Sequence, residues 1–188
     1  GTGSMRDLGI SYSEVALRED GSVDWDAVRQ AVTPQTKVIG IQRSRGYSWR
    51  RSFSIADIAE MVNQIRAIRE DLIIFVDNCY GEFTEIYEPT EVGVDLMAGS
   101  LIKNPGGGLA HTGGYIVGKK RYVDLAAYRL TVPGLGGEVG AMLGATALMY
   151  QGLFMAPHTV GQALKGSILT SAVFQELNSV TSPTVDEP

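Results

Sequence analysis

Cysteine is almost missing from this sequence, with one residue, Cys79, in 188. A single thiol excludes a disulfide framework and points to a reducing compartment. Excess positive charge is missing as well. Sixteen lysines and arginines against 21 aspartates and glutamates leave a net charge of −5, so no basic surface argues for a nucleic-acid partner. Long apolar runs are also lacking. The longest, Val139 to Tyr150, is about a dozen residues, below the roughly 18 needed to span a bilayer. The first 30 residues carry charges throughout and contain no apolar signal core. A soluble, cytoplasmic protein without a membrane partner is the expectation. Charged residues at 20% and hydrophobic ones at 44% exclude a disordered chain. Glycine is what abounds: 23 of 188 residues, where about 7% is usual. No G-X-Y period accompanies it, so the excess belongs to loops and close backbone contacts.

Along the chain, strand and helix patterns alternate. Residues 10–15 approximate a strand, and Asp24 caps a short helix with Trp25, Val28, Ala31 and Val32 on one face. Lys37 to Ile41 is a β-branched run that reads as a buried strand. Ser54 and Asp57 fit a capping box that opens a helix with Ile55, Ile58, Val62, Ile65 and Ile68 on one stripe. Asp71 to Asp77 is the strongest strand pattern, apolar on both faces as in a helix-covered parallel sheet. Val94 to Leu101 and Gly114 to Val117 read as further strands. Val139 to Tyr150 reads as a buried helix in which Gly136, Gly140 and Gly144 allow close packing on a neighbour. The class is α/β with a mostly parallel sheet and flanking helices. In such sheets chemistry gathers at the carboxyl ends of the strands. Arg43, Asp77 and the segment around Lys103 are therefore the first candidates.

Asp77 ends an apolar strand, where a carboxylate loses hydration and needs a cationic or hydrogen-bonding partner. Taken alone, a helix cap or a metal-binding aspartate explains it equally well. Lys103 lies between an apolar strand and the run Gly106-Gly107-Gly108. Partial desolvation there would lower its pKa and favour a free amine for imine formation. A surface loop lysine is the plain alternative. Considered together, the two supply what pyridoxal phosphate chemistry requires: a lysine for the Schiff base and an acid for the pyridine nitrogen. Ser100 and the glycine run add phosphate donors. His111 and His158 show no metal-ligand spacing with Cys79 or with each other, and no metal is expected.

Three motifs carry a resemblance: Val76-Asp77-Asn78-Cys79-Tyr80-Gly81-Glu82-Phe83, Ser100-Leu101-Ile102-Lys103-Asn104-Pro105-Gly106-Gly107-Gly108 and Thr112-Gly113-Gly114-Tyr115-Ile116-Val117-Gly118. With Gln42 to Arg50, they resemble fold type I pyridoxal-phosphate enzymes. The branch is that of aluminium resistance proteins, similar to methionine gamma-lyase and related to the enzymes of Cys/Met metabolism. The resemblance covers nearly the whole chain. It implies an aminotransferase-type large domain whose strand after Lys103 runs antiparallel.

The resemblance further implies pyridoxal 5'-phosphate as cofactor, bound covalently by Lys103, with Asp77 on its ring nitrogen and Ser100 on its phosphate. Ile102 replaces a threonine usual in relatives, so one hydroxyl is lacking. Tyr80 matches a tyrosine that contacts the cofactor's phenolic oxygen. Arg43 or Arg45 stands where relatives place a polar contact to that oxygen, and a plain surface arginine fits Arg43 as well. The implied activity is a carbon–sulfur lyase acting on a sulfur-containing amino acid. Another pyridoxal-phosphate reaction, such as transamination or racemisation, remains open, as does a non-catalytic α/β fragment. The implied partners are a small amino-acid substrate and further copies of the chain, as a homodimer or homotetramer. Residues 1–155 would belong to the large domain. Residues 156–188 would lead towards a small C-terminal domain, making the chain an interior piece of a longer enzyme.

Overall fold

The computed structural model describes residues 2–140 and 144–187. The chain divides into two compact units, Gly1–Thr36 and Lys37–Pro188. In the first, a single 3-10 turn covers Met5–Leu8 and a short helix, α1, covers Trp25–Ala31. Asp24 caps α1 as expected, its Oδ1 accepting from the Asp26 and Ala27 N–H groups at 3.2 and 3.1 Å. Residues 10–15 correct the sequence reading. They form no strand, and no strand pairs with them among the described residues. Ile10 and Tyr12 are exposed there, so the alternation has no buried face to fix a register.

The second unit is built on one sheet. Its strands are β1 (Val38–Gln42), β2 (Ile73–Asp77), β3 (Leu96–Ser100) and β4 (Gly114–Gly118), in spatial order β1-β2-β3-β4. The first three are parallel and β4 is antiparallel to β3, as the resemblance implied. Helix α2 (Ile55–Ile68) makes the crossover from β1 to β2. Its capping box is complete: the Asp57 N–H donates to Ser54 Oγ at 3.1 Å, and the Ser54 N–H donates to Asp57 Oδ2 at 2.8 Å. The buried stripe of α2 is Ile55, Ile58, Met61, Val62 and Ile65. These side chains form the core with Ile41, Ile74, Val76 and Met97, which the register and pleat put on one face of the sheet. Each such side chain contributes about 1.5–3 kcal/mol when fully buried.

One end of the sheet is fastened by Asp95, just ahead of β3. Its buried carboxylate accepts from the Ile74 N–H at 2.8 Å, and it pairs with Arg66 of α2 at 2.7 Å and Lys119 after β4 at 2.5 Å. Burial alone would raise its pKa. The Ile74 N–H and the two cations outweigh burial and hold it below the usual carboxylate value. Structure at that end leaves the opposite end, where β2 and β3 finish, for chemistry.

After β4 come α3 (Lys120–Leu130) and the long α4 (Thr146–Glu176). Of the expected helix over Val139 to Tyr150, only Thr146 to Tyr150 is helical among the described residues. Gly136–Glu138 forms one 3-10 turn, and α4 starts only at Thr146. Gly136 at φ +56° and Gly144 at φ +84° adopt left-handed backbone, which ends or interrupts a right-handed helix. Residues 141–143 of that stretch lie outside the described residues. Nor is the stretch buried throughout, since Val139 and Tyr150 are 41% and 71% exposed.

Candidate functional site

Asp77 is the last residue of β2, opposite Ala98 of β3. Side chains alternate along a strand, so Asp77, Ala98 and Ser100 point to the same face of the sheet. The chain then turns tightly. Asp77 Oδ1 accepts from the Cys79 N–H at 3.1 Å, and the Gly81 N–H donates to the Asn78 carbonyl at 2.8 Å. Tyr80 lies within this turn at φ +70°. Beyond β3 a second turn follows: the Lys103 N–H reaches the Ser100 carbonyl at 3.3 Å, and the Gly106 N–H reaches the Lys103 carbonyl at 3.0 Å. The Ser100 hydroxyl oxygen accepts the Ile102 N–H at 3.4 Å.

The two turns meet at Lys103. Its Nζ stands 4.3 Å from the centroid of the Tyr80 ring, a cation–π distance. Cys79 and Asp77, from the turn after β2, act on the charge of the amine. Desolvation pulls the Lys103 pKa down. The hydrogen bond to Cys79, with the charges of Cys79, Tyr80 and Asp77, outweighs it and holds the amine above its ordinary value. That reverses the expected lowering: the residues around Lys103 favour an ammonium. For Cys79, burial and the hydrogen bond to Asp77 push the thiol up. It is a poor nucleophile there.

Arg43 corrects the sequence reading in another way. It follows β1 and is 2% exposed, so it is not a surface arginine. Its Nε donates to the Phe53 carbonyl at 3.1 Å, and one terminal nitrogen donates to Asn78 Oδ1 and the Gly81 carbonyl, both at 2.9 Å. The other terminal nitrogen donates to Thr84 Oγ1 at 3.4 Å and Glu85 Oε2 at 2.6 Å. A guanidinium has five N–H donors, and all are taken within the chain. No donor remains for the cofactor contact expected of Arg43. Arg45 instead holds Ser182, through its hydroxyl and its carbonyl oxygen.

Sequence reasoning missed the polar network around Arg43. Asn78 donates to Glu88 Oε2 at 2.9 Å and to the Tyr115 hydroxyl at 3.3 Å, and that hydroxyl donates to Glu82 Oε1 at 2.7 Å. Tyr115 lies opposite Gly99 in the register, on the sheet face away from Asp77 and Ser100. Glu82 is buried and its Oε2 has no partner. Burial is the main reason its carboxyl stays above the ordinary value, although the Tyr115 hydrogen bond opposes it. Asn104, beside Lys103, was missed too. Its amide nitrogen donates to the carbonyls of Tyr80 at 3.1 Å and Glu82 at 3.0 Å. The only hint of both was the position of Asn78, Glu82 and Asn104 inside the quoted motifs.

Glycine completes the second turn. A Cβ on Gly107 would lie 2.3 Å from the Gly152 carbonyl oxygen in α4, and one on Gly152 would lie 2.2 Å from that of Gly106. Of the close packing expected of Gly136, Gly140 and Gly144, Gly136 shows it, where a Cβ would lie 2.9 Å from the Tyr128 ring of α3, whereas a Cβ on Gly144 meets nothing within 4 Å; Gly152 is a close approach the sequence did not announce.

Residues 1–188 match the family described as methionine gamma-lyase. The chain is 55% identical over 184 residues to the uncharacterized protein YnbB of Bacillus subtilis (strain 168), covering 98% of this chain and 44% of that protein. It is 31% identical over 147 residues to the L-methionine gamma-lyase of Pseudomonas putida, covering 77% of this chain and 34% of that enzyme. A carbon-sulfur lyase involved in aluminum resistance from Clostridium novyi NT superposes with a TM-score of 0.91 at 47% identity, covering 99% of this chain and 44% of the other. The chain spans less than half the length of each of these proteins.

Proposed function

The chain belongs to the methionine gamma-lyase family, and from that membership we propose that it carries the cofactor lysine of a pyridoxal-phosphate-dependent carbon–sulfur lyase acting on a sulfur-containing amino acid. The observation behind this reading is that the turns after β2 and β3 bring Lys103 Nζ to 4.3 Å from the ring of Tyr80, three residues on from Asp77. The donor set fits the group: a primary amine for its carbonyl, a carboxylate for its ring nitrogen, and a serine hydroxyl on the carboxylate's face of the sheet for its phosphate. Bound there, pyridoxal phosphate supplies an electron sink next to the substrate's α-carbon.

The chain's own residues do the rest. Lys103 Nζ binds the cofactor covalently, and it acts as a nucleophile only after losing the proton its neighbours favour. The same nitrogen, when not bonded to the cofactor, would take the proton from the substrate's α-carbon. Asp77 holds a proton on the ring nitrogen, and the Cys79 N–H keeps that carboxylate oriented. Ser100 would offer its hydroxyl to the phosphate, since the Ile102, Lys103 and Gly106 N–H groups of the following turn are bonded within the chain. Tyr80 flanks the amine and limits where it can move. The proposed assembly is a homodimer or homotetramer, which is consistent with exposed apolar residues such as Phe154 and Leu169 on α4.

The test uses the protein carrying this chain, loaded with pyridoxal phosphate and offered methionine, cysteine and cystathionine. A lysine-bound cofactor absorption and release of both a thiol and a 2-oxo acid are expected, and Lys103→Ala loses both. Absorption that survives Lys103→Ala, or products that contain no thiol, would overturn the reading.

A further inference from the structure

We propose that Asn104 is a positioning residue that fixes the Lys103 amine against Asp77 by tying the turn after β3 to the turn after β2. The inference rests on the reading of Lys103 as the cofactor lysine. Lys103 and Asp77 sit on separate strands, and each is followed by an irregular segment. Backbone pairing goes one residue further, with the Asn78 N–H on the Ala98 carbonyl and the Leu101 N–H on the Gly113 carbonyl, and among the described residues no strand pairing joins the two turns beyond. Asn104 does so directly, because its single Nδ2 donates to the carbonyls of Tyr80 and Glu82. An amide nitrogen carries two N–H donors, and both point at the segment that begins at Asp77.

That geometry is specific to asparagine. Alanine has no donor. Aspartate would set a negative oxygen against two carbonyl oxygens, exchanging attraction for repulsion. The residue between those two carbonyls is Gly81, whose own carbonyl is taken by Arg43. The Tyr80–Glu82 backbone is thus held from both sides, and releasing the Asn104 side frees the ring of Tyr80 and the turn at Asp77 together. Lys103 is adjacent in sequence to Asn104, so a slackened turn moves its Nζ away from the carboxylate, the thiol and the ring.

Two measurements on the protein carrying this chain test the proposal. In the cofactor-free protein, competitive labelling of Lys103 with an amine-reactive reagent across pH gives its titration without any catalysis. Asn104→Ala is expected to lower the midpoint, as expected when an anionic neighbour moves away. It also speeds labelling near neutral pH. In a titration with pyridoxal phosphate followed by absorbance, affinity is expected to fall in the order Asn, Ala, Asp, with about a tenfold loss for Asn104→Ala. Should Asn104→Ala not fold, Asn104→Gln, which keeps the amide one methylene farther out, undergoes the same pair of measurements. A variant that is less stable but keeps the wild-type labelling profile would overturn the proposal. Wild-type protein that binds no pyridoxal phosphate would overturn the functional reading instead, and the labelling would still decide the role of Asn104.

Discussion

Replacing Gly152 with alanine should destabilise a helix that alanine ordinarily favours. Within α4, glycine costs about 1 kcal/mol relative to alanine, so propensity alone predicts a gain. Packing predicts a loss. The added Cβ would lie 2.2 Å from the Gly106 carbonyl oxygen, 2.8 Å from its carbon and 3.3 Å from its Cα, whereas real Cβ atoms almost never approach within 3.0 Å. All three atoms are backbone, so no side chain can rotate out of the way. Relief needs α4 to back off from the turn by most of an ångström. That also strips contacts from Gly107, whose position at φ +54° resists any larger residue. Overpacking costs about 1–3 kcal/mol; a clash with backbone alone falls in the upper half of that range, so the net loss after a propensity gain of about 1 kcal/mol is about 1–2 kcal/mol.

Thermal unfolding of the protein carrying this chain measures this loss, at about 2–4 °C for each kcal/mol in a domain of this size. Gly161 and Gly166 are internal controls, because a Cβ at either meets nothing within 4 Å. Alanine there should raise stability by up to about 1 kcal/mol. A Gly152→Ala protein as stable as wild type would refute the argument. Pyridoxal phosphate affinity should fall in Gly152→Ala and stay unchanged in the two controls, because only Gly152 touches the turn that follows Lys103.

Two further outcomes follow from the network beneath the sheet. Burial raises the Glu82 carboxyl above its ordinary 4.5, so the folded chain keeps a proton that the unfolded chain has released. This stability is full below 4.5 and is lost as pH rises through the raised value. Glu82→Gln does not titrate, so its stability relative to wild type should climb across that window in denaturant unfolding; a constant difference would refute a buried neutral acid. Arg43→Met should cost about 2–5 kcal/mol, because it leaves the buried Phe53 carbonyl and Asn78 Oδ1 without their donor, while Gly81 keeps Thr84 and Glu85 keeps the Ile55 N–H. Arg43→Lys should recover less than half of that, since an ammonium has three donors where five are used; a loss below about 1 kcal/mol in Arg43→Met would show the network to be incidental.

The strands, α2 and the Asp77–Lys103 pair were legible because each rests on a local pattern. Alternating or continuous apolar runs predict strands, Ser54 with Asp57 predicts a helix start, and an acid or lysine at a strand end stands out. The misreadings share a cause in long-range contacts. Residues 10–15 alternate correctly but have no strand to pair with. Val139 to Tyr150 is apolar enough for a buried helix, yet Gly136 and Gly144 take left-handed backbone, a choice invisible in composition. Lys103 was read as desolvated because its flanks are apolar. The Cys79 and Asp77 groups that reverse its shift arrive from 24 and 26 residues away. Arg43 is the clearest case. No pattern around it announces that Phe53, Asn78, Gly81, Thr84 and Glu85 converge on one guanidinium.

That convergence explains two glycines outside the glycine-rich runs. A Cβ on Gly81 would lie 2.3 Å from the Arg43 guanidinium, and one on Gly99 would lie 2.4 Å from Glu82 Oε1 and 2.6 Å from the Tyr115 ring. Glycine inside a strand weakens it, so Gly99 in β3 is a local loss accepted for the space the network occupies. The network takes side chains from the end of β1, from the segment after β2 and from β4, while β3 contributes only that space. β3 is left to end in Ser100, and the turn that follows with Lys103 is fastened separately by Asn104 and by the Gly106–Gly152 contact. The Arg43 network and Asn104 reach the same short segment after Asp77: Arg43 takes the carbonyl of Gly81, and Asn104 takes those of Tyr80 and Glu82. Three consecutive carbonyls are thereby fixed from two directions. A site whose acid and amine must hold their geometry to about half an ångström needs such support. It also follows that loosening Asn104 and removing Arg43 should not act independently, since both release one segment, and the double variant should lose less stability than the two single losses together.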